Sequence, residues 1–380
     1  MSGGLPFKPG QIQIEQKKMI TYILLLYLPS WMALRYQYVS SPQTTRENFQ
    51  WNVITMVFTL TIGLRHEIGG DWVTYAEGRE YVTSLDLLTV LTDFRKGDPA
   101  FGLISWLSPT LGGDYFVNLV CGVLFTLGLV AFCRNQPNPW LALTAAVPYL
   151  VITVAMGYTR QAVAIGLSMF GLVALNAQNH FKFLMWIIAA ATFHKSAVIL
   201  IPLAFFAKSR SKWATIMGIA VIGPLAFALF LQESLERLFA GYADAEMESS
   251  GAFIRVAMNV LPATLFLIWR RRFALSDVAQ KFWTWMSVGA LFFLPALAFS
   301  PSSTAVDRVA LYWIPIQLFV WSRLPTAVSR GHRSEQLVSQ CVVAYSASVL
   351  LVWLLFGIHA SAWLPYKWYP WELVKGVFSS

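Results

Sequence analysis

The chain has 380 residues, of which 57% are hydrophobic and 12% are charged, with a formal net charge of +9. A soluble domain carries about twice that share of charged residues. Together with repeated apolar runs of membrane-span length, the composition excludes a soluble multi-domain enzyme, a disordered scaffold and a secreted disulfide module. It predicts an all-α, polytopic transmembrane helix bundle of about ten to eleven spans. The basic residues lie in short loops at helix ends, so we expect no nucleic-acid partner.

The apolar runs in chain order predict the membrane spans. They cover residues 19–38, 50–65, 114–133, 139–157, 160–178, 213–231, 251–269, 280–299, 307–323 and 336–358. Two further apolar stretches, 99–112 and 183–207, fit a simple span less well. We interpret residues 1–380 as one integral membrane domain. Outside the spans it has an N-terminal tail at 1–18, longer loops at 66–98 and 232–250, and an aromatic C-terminal tail at 359–380.

The distribution of charged residues predicts an orientation. Short loops rich in Lys and Arg belong on the cytoplasmic side of a membrane. Such loops contain Arg134, Lys182, Lys208, Arg270–Arg272 and Arg323. The two longer loops are acidic, so we expect them on the outer side with the C-terminal tail. An outer N-terminus is at odds with its three lysines, Lys8, Lys17 and Lys18. The prediction follows the loops further along the chain, because they are more numerous.

This orientation predicts that segment 183–207 is broken. Its flanking residues Lys182 and Lys208 both belong inside, so the segment must enter and return. Each arm then has about twelve residues, or roughly 18 Å of helix, against a hydrocarbon core of about 30 Å. We therefore expect a broken or re-entrant hairpin with His194 near its apex. By the same reasoning, 99–112 enters from the outer side and returns near Gly112.

Four polar clusters are candidates for the functional site, and the orientation places all four on the outer side. They are the segment after span two, with Arg65, Glu67, Asp71 and Tyr75; Arg160 and Gln161 at a helix start; His194 and Lys195 in the broken segment; and Asp307 and Arg308 with Tyr312. An ionisable residue within a membrane segment is costly, which favours a functional role for His194. The alternatives are an interfacial loop, a snorkelling arginine, a histidine bonded to a carbonyl, and a local ion pair.

Cations from separate parts of the chain converge in this scheme. Arg65, Arg160, His194, Lys195 and Arg308 all fall on one face of the bundle. Guanidinium groups bind phosphate oxygens with a rigid fork of donors, so we expect an anionic ligand such as a diphosphate. No His or Cys pair has ligand spacing, and we predict neither a metal site nor a cofactor. The C-terminal run from Trp363 to Trp371 is interpreted as an interfacial anchor, with a sugar-stacking or lid element as the alternative.

These motifs resemble the EpsG family of bacterial exopolysaccharide and O-antigen polymerases of the Wzy type. The segment from Arg65 to Tyr75 is similar to the family's Arg…Gly-x-Asp-aromatic-x-x-Tyr loop, with Trp72 where Tyr is commoner. Further similarity lies in Arg160-Gln161, in Phe193 to Ser196, in Asp307-Arg308 with Tyr312, and in Pro365-Tyr366-Lys367. The motifs follow in order over roughly residues 20–370, and the N-terminal extension has no counterpart.

The resemblance implies a metal-independent glycosyltransferase of the bacterial inner (cytoplasmic) membrane, with its active site facing the periplasm. It would join oligosaccharide repeat units carried on undecaprenyl diphosphate, and a chain-length regulator is a further partner compatible with that reaction. Arg65, Arg160 and Arg308 would hold the donor diphosphate. The general base would be His194 or Asp71, and we favour His194, because Asp71 among arginines should have a lowered pKa.

Three rival functions use the same features. The rival most similar in chemistry is an O-antigen ligase or a glycosyltransferase that uses a polyprenyl-phosphate sugar. A ligase should have one large outer loop, and the longest loops here, 66–98 and 232–250, are modest. A lipid-linked glycan flippase would favour inverted repeats, and none is visible in the sequence. A membrane-bound acyltransferase would need its histidine on the cytoplasmic side.

Overall fold

The structure, a computed structural model, describes residues 9–35, 45–92, 98–202, 251–300 and 303–379. Its helices, numbered here in chain order over these residues, are α1 (Pro9–Arg35), α2 (Thr45–Gly63), α3 (Trp72–Thr83), α4 (Leu87–Thr92), α5 (Pro99–Leu107), α6 (Asp114–Arg134), α7 (Pro139–Ala146), α8 (Thr159–Asn176), α9 (His180–Ala191), α10 (Ala252–Trp269), α11 (Asp277–Phe299), α12 (Ser303–Ala310), α13 (Pro315–Val328), α14 (His332–Phe356) and α15 (Tyr369–Ser379). The expected span 213–231, the loop 232–250 and the hairpin beyond residue 202 lie outside the described residues.

The prediction of an all-α polytopic membrane protein is confirmed. Every expected span is helical where the structure describes it, either as one helix or as successive helical segments. By length and composition, four helical segments of the described chain can cross a membrane, and they are Asp114–Arg134, Ala252–Arg272, Asp277–Phe299 and His332–Phe356. Shorter apolar helices are Met19–Arg35, Pro139–Ala155 and His180–Ala191. Across the described residues, the single β-type pairing is an antiparallel bridge between Arg65 and Trp368.

Helix α6 lies at the centre of the bundle and α14 at its edge. The apolar window of α6 is 61% buried, whereas that of α14 is 28% buried. Helix α6 packs between α2 and α8. The contact with α8 is backbone to backbone, because a Cβ on Gly128 would lie 1.9 Å from the carbonyl oxygen of Gly166. Small residues allow such approach between membrane helices, and this contact sets where the start of α8 lies.

Several expected elements are interrupted. Segment 66–98, expected to be loop, contains α3 and α4. The expected span 307–323 is divided into α12, a 3₁₀ turn at Leu311–Trp313 and α13. Helix α7 continues as a buried π-helix over Val147–Ala155, a geometry frequent at functional sites. These interruptions bring irregular backbone into the bundle, which a membrane protein tolerates where protein or a wet cavity surrounds it.

The two apolar stretches that did not fit a simple span are broken near the expected residues. Helix α9 ends at Ala191, His194 has extended backbone, and a 3₁₀ turn follows at Lys195–Ile199. Helix α5 ends in a second 3₁₀ turn, and the chain reverses at Gly112 and Gly113, both with positive φ.

The bundle has two chemically different ends. At one end, which we call the Arg134 end, Arg134 donates to Asn48, and a cavity is lined by residues that include Asn176 and Arg323. At the other end, which we call the Arg65 end, Arg65 lies beside the start of α8 and the C-terminal segment. The candidate clusters of the sequence lie at the Arg65 end.

Candidate functional site

Asp98 joins two of the expected site elements. It precedes Pro99 at the start of α5. One of its carboxylate oxygens accepts a hydrogen bond from the Arg160 guanidinium at 3.2 Å. The other accepts the backbone N–H of Lys195 at 3.3 Å. The start of α8 and the break at His194 are therefore held together by one carboxylate, whose side chain is only 10% exposed.

Arg160 lies on aromatic rings with its outer side open. Its guanidinium carbon is 5.7 Å from the ring centres of both Tyr75 and Phe101. These two rings are themselves 5.7 Å apart. The Arg160 side chain nevertheless stays 39% exposed. Arginine stacks on aromatic faces while its N–H groups stay available, so Arg160 is oriented and can still contact a ligand.

Asp71 and Arg308 face the same region. Asp71, just before α3, is half-buried, and both Arg160 and Arg308 are close enough to act on its pKa. Arg308 is exposed on α12. Neither the Asp71 carboxylate nor the Arg308 guanidinium makes a hydrogen bond to any residue that the structure describes. A carboxylate and a guanidinium group without a hydrogen bond to any described residue thus lie close to the partly exposed guanidinium of Arg160.

The pKa of Asp71 is raised, which corrects the expectation of a lowered value. The expected lowering rested on the neighbouring arginines alone, and Arg308 and Arg160 do act to lower the pKa. The loss of hydration on burial is the larger effect, so the net pKa lies above the ordinary 3.8. Burial disfavours the charged form of a carboxyl group. Asp71 is therefore a better proton acceptor than the sequence indicated.

His194 interacts with Tyr312 across the bundle. The hydroxyl of Tyr312 and Nδ1 of His194 are 3.2 Å apart. Tyr312 is 1% exposed, whereas His194 is half-buried at the break. The buried tyrosine therefore orients the imidazole and is too enclosed to contact a large substrate itself. Lys195, the next residue, is exposed.

Gln161 has a structural contact instead of the expected ligand contact. Its side chain is 3% exposed, and its amide nitrogen donates to the backbone carbonyl of Arg308 at 2.5 Å. This bond fixes the backbone from which the Arg308 side chain extends. Gln161 thus positions Arg308, while its neighbour Arg160 is the second guanidinium group near Asp71. We call Arg160 and Arg308 the cation cluster.

Arg255 and Asp307 form a bidentate ion pair below the cluster. Arg255 Nε and Nη2 donate to the two carboxylate oxygens at 2.9 and 2.8 Å. Asp307 is buried, and the carboxylate bonds Arg255 on α10, which the sequence interpretation of a local pair with its neighbour did not anticipate. Asn259, one turn along α10, donates to the carbonyl of Ala310 at 2.9 Å. Helix α10 therefore fixes α12 at both of its turns.

Arg65 lies inside the framework, which differs from the expected contact with substrate. The side chain is 2% exposed. Its guanidinium donates to the carbonyls of Ile62 and Ile68, to Asn118 at 2.9 Å and to Thr159 at 2.8 Å. Four of its five donors are thus used within the protein. Arg65 connects α2, α6 and α8 and has little capacity left for a ligand.

Glu67 points toward the C-terminal segment. Its carboxylate accepts from Lys367 at 2.7 Å, and its side chain is 54% exposed. This ion pair attaches it to residues near the chain end, separate from the group around Asp71. The structure thus brings together eight of the ten expected site residues, namely Asp71, Tyr75, Arg160, Gln161, His194, Lys195, Arg308 and Tyr312.

The C-terminal segment is packed into the Arg65 end, so it is more than a surface anchor. The indole of Trp363 is 3% exposed and donates to the carbonyl of Ile152 at 2.8 Å. Tyr22 of α1 donates to the carbonyl of Trp363 at 2.6 Å. Backbone bonds also join His66 to Lys367 and Tyr369 to Leu64. The segment therefore closes the bundle beside the site.

Sequence reasoning missed Asp98 and Arg255 as functional candidates. Asp98 precedes proline, and the Asp-Pro pair is a helix-start signal. Arg255 lies inside an expected span, where an ionisable residue is a functional candidate by default. Both signals were therefore present in the sequence. In the described residues, no group of three or more His, Cys, Asp or Glu side chains could hold a metal ion.

Comparison with known proteins identifies the family. No curated protein and no solved structure matches the chain. The profile of the EpsG family matches residues 48–368, which is most of the chain and includes all ten expected site residues together with Asp98 and Arg255. The chain therefore belongs to the EpsG family.

Proposed function

We propose that the protein is a polysaccharide polymerase that joins undecaprenyl-diphosphate-linked repeat units. A sugar hydroxyl of one lipid-linked unit attacks the anomeric carbon of the donor glycan. The bond from that carbon to the diphosphate oxygen breaks, and the lipid diphosphate leaves with its negative charge. The hydroxyl proton passes to a base on the protein. Membership of a family of polysaccharide biosynthesis supports this reaction.

The observation that carries the proposal is that Arg160 and Arg308 both act on the carboxyl group of Asp71 at one end of a membrane bundle, where Asp98 also joins Arg160 to the broken segment. Two arginines whose side chains reach solvent suit the two phosphates of a lipid diphosphate. They also stabilise the charge that develops on the departing oxygen. Arg65, Gln161 and Tyr312 are positioning residues in this mechanism, because their polar groups are bonded within the protein.

Asp71 is the general base in the proposed mechanism. Both arginines act on its carboxyl group, its oxygens carry no hydrogen bond from the described residues, and its pKa is raised by burial. Proton abstraction by a positioned base contributes about 10²–10⁴-fold to a rate. His194 is the second candidate, and its bond to Tyr312 suits it to hold a phosphate oxygen or the acceptor sugar. Tyr75 and Phe101 orient Arg160 from below.

We also propose that the site faces the periplasm of a bacterial inner membrane. The Arg134 end carries Arg134 and Arg323, and Arg270–Arg272 lie just before α11, whose first turns line the cavity at that end. Positive residues in short loops mark the cytoplasmic side. The site lies at the opposite end, where a lipid-linked unit already moved across the membrane is available.

The experiment that tests the function uses a strain lacking the gene. Its lipid-linked glycans and its surface polysaccharide are extracted and sized, and the strain is complemented with the wild type and with Arg308→Ala. We expect single repeat units on the lipid carrier, no polymer, and rescue by the wild type alone. Full-length polymer left on the carrier would indicate a ligase. Single units confined to the cytoplasmic face would indicate a flippase, and either result would overturn the proposal.

A further inference from the structure

A second cavity lies beside the C-terminal segment. It has a volume of about 720 Å³ and opens between that segment and helices α1 and α2. We call it the C-terminal groove, and its lining includes Thr21, Leu60, Thr61, Trp368, Trp371 and Lys375. A volume of several hundred Å³ is typical of a ligand pocket. Its lining shares no residue with the cluster around Asp71, so it is a separate place for a ligand.

The lysines of the groove are each compensated by a carboxylate. Lys367 pairs with Glu67 at 2.7 Å, and Lys375 pairs with Glu372 at 2.8 Å. Each lysine therefore has a carboxylate partner, and the groove offers little net positive charge to a diphosphate. Ion pairs at a rim do supply both donors and acceptors. This combination suits a neutral ligand rich in hydroxyl groups.

Two indole rings supply the apolar surface of the groove. Trp371 is 57% exposed and Trp368 is 40% exposed. Tyr366 between the helices is anchored, because its hydroxyl donates to the carbonyl of Thr61 at 2.8 Å. Aromatic side chains with a few polar groups form the usual lining of ligand sites. The C–H faces of sugar rings stack on exposed indoles, and the hydroxyls at their edges need the polar partners described above.

The groove is also joined directly to the proposed reaction centre. The backbones of Trp368 and Arg65 pair across the antiparallel bridge. The Arg65 guanidinium then bonds Thr159, the residue before Arg160. A single buried side chain thus separates the wall of the groove from the cation cluster. A glycan attached at the centre could extend along this wall.

From these observations we propose that the C-terminal groove binds the glycan part of the lipid-linked substrate, as the site that retains the growing chain. This proposal rests on the proposed function and adds a binding site to it. A groove that holds the chain keeps it near the centre between successive additions. Loss of its indole surface should therefore shorten the polymer.

The test measures binding of a glycan that has neither lipid nor diphosphate. Mild acid releases such oligosaccharides from the lipid-linked units of the producing cell. Saturation-transfer NMR then reports their contact with the full chain in lipid nanodiscs. We expect transfer to the sugar protons with wild type, and binding about tenfold weaker when both indoles are removed in Trp368→Ala/Trp371→Ala. Phe378→Ala is the matched control, because Phe378 is 86% exposed on α15 and is absent from the lining of the groove.

Chain length in cells provides the second measurement. The double variant should give shorter polymer, whereas Phe378→Ala should give the wild-type distribution. Trp371→Ala alone guards against misfolding, because its exposed ring contributes little packing. Equal oligosaccharide binding by wild type and double variant, or no binding by wild type, would show that the groove holds bilayer lipid or nothing. If the double variant restores wild-type chain lengths to the deletion strain, the groove proposal fails while the polymerase proposal stands.

Discussion

The two carboxylate oxygens of Asp98 bind different elements of the site, one the guanidinium of Arg160 at 3.2 Å and the other the backbone N–H of Lys195 at 3.3 Å. Asp98 is 10% exposed in its side chain, so this carboxylate is held away from water. Hydrogen bonds from a charged donor to a carboxylate are among the stronger ones in proteins. Asp98 therefore helps to fix the relative position of Arg160 and the broken segment.

The first prediction concerns this contact. Asp98→Asn should lower the rate of unit joining, because it removes the charge that orients Arg160, and a displacement of about 1 Å can reduce catalysis by about 10²-fold. Arg160→Lys should also be impaired, because an ammonium lacks the planar fork. The measurement is joining by isolated membranes supplied with extracted lipid-linked units. Glu77→Gln, an exposed acid on α3, is the control. If both variants join units at the wild-type rate, Arg160 has no role in the reaction.

The second prediction concerns Asp71 as the base. Asp71→Asn should lower the joining rate by about 10²–10⁴-fold. In wild type, activity should fall as the pH drops through the pKa of Asp71, because protonation removes the base. That pKa is above the ordinary 3.8, so the acid limb should begin at a higher pH than for an exposed aspartate. A pH profile of the joining rate tests this. An unchanged acid limb in an active Asp71→Asn variant would transfer the role to His194.

The raised pKa of Asp71 also predicts an effect on stability. The folded protein binds the Asp71 proton more tightly than the unfolded chain does. The stabilising contribution of the protonated form is therefore present at low pH and is lost as the pH rises through the folded-state pKa. At neutral pH the ionised carboxylate is destabilising, and the neutral amide of Asp71→Asn should leave the melting temperature equal or higher. A lower melting temperature at neutral pH would contradict the stated direction.

Features of the fold that depend on the hydropathy and charge of the chain could be predicted from the sequence. They include the helical bundle, the break at His194 and the convergence of Arg160, His194 and Arg308 at one end. Each follows from the length of apolar runs and the position of charges along the chain. No long-range contact has to be known for any of them.

The roles that depend on packing could not be predicted in the same way. Arg65 looked like a ligand for phosphate, and only the acceptors that α6 and α8 bring to it show that it is a framework residue. The pKa of Asp71 depends on how far burial outweighs two arginines, and burial is invisible in the sequence. The partner of Asp307 is 52 residues away in the chain.

The third prediction separates a framework arginine from a ligand-binding one. Arg65→Lys should reduce abundance and melting temperature, because a lysine cannot supply the four hydrogen bonds that Arg65 donates. Each buried acceptor left without a partner costs about 1–3 kcal/mol. Arg160→Ala should abolish joining at normal abundance. Thermal unfolding of the purified variants makes the comparison. A stable, abundant Arg65→Lys protein without activity would return Arg65 to the group that contacts substrate.

The fourth prediction tests the ion pair between Arg255 and Asp307. Arg255→Ala should be destabilising, because it leaves the buried carboxylate of Asp307 without its bidentate partner. The loss should be somewhat below the ~3–5 kcal/mol for a fully buried pair, since the Arg255 side chain is 22% exposed. Asp307→Asn in the same chain should recover part of the stability by removing the uncompensated charge. Unfolding free energies of wild type, the two single variants and the double variant give the coupling energy.

The activity of these variants then distinguishes stability from positioning. The double variant Arg255→Ala/Asp307→Asn should still join units more slowly than wild type, because α12, which carries Arg308, loses the bond that fixes it to α10. Contacts of this kind are typically non-additive by about 0.5–3 kcal/mol. If the two single losses of stability simply add, the pair makes no coupled contribution. If the double variant regains both stability and wild-type joining, Arg255 and Asp307 do not position the cation cluster.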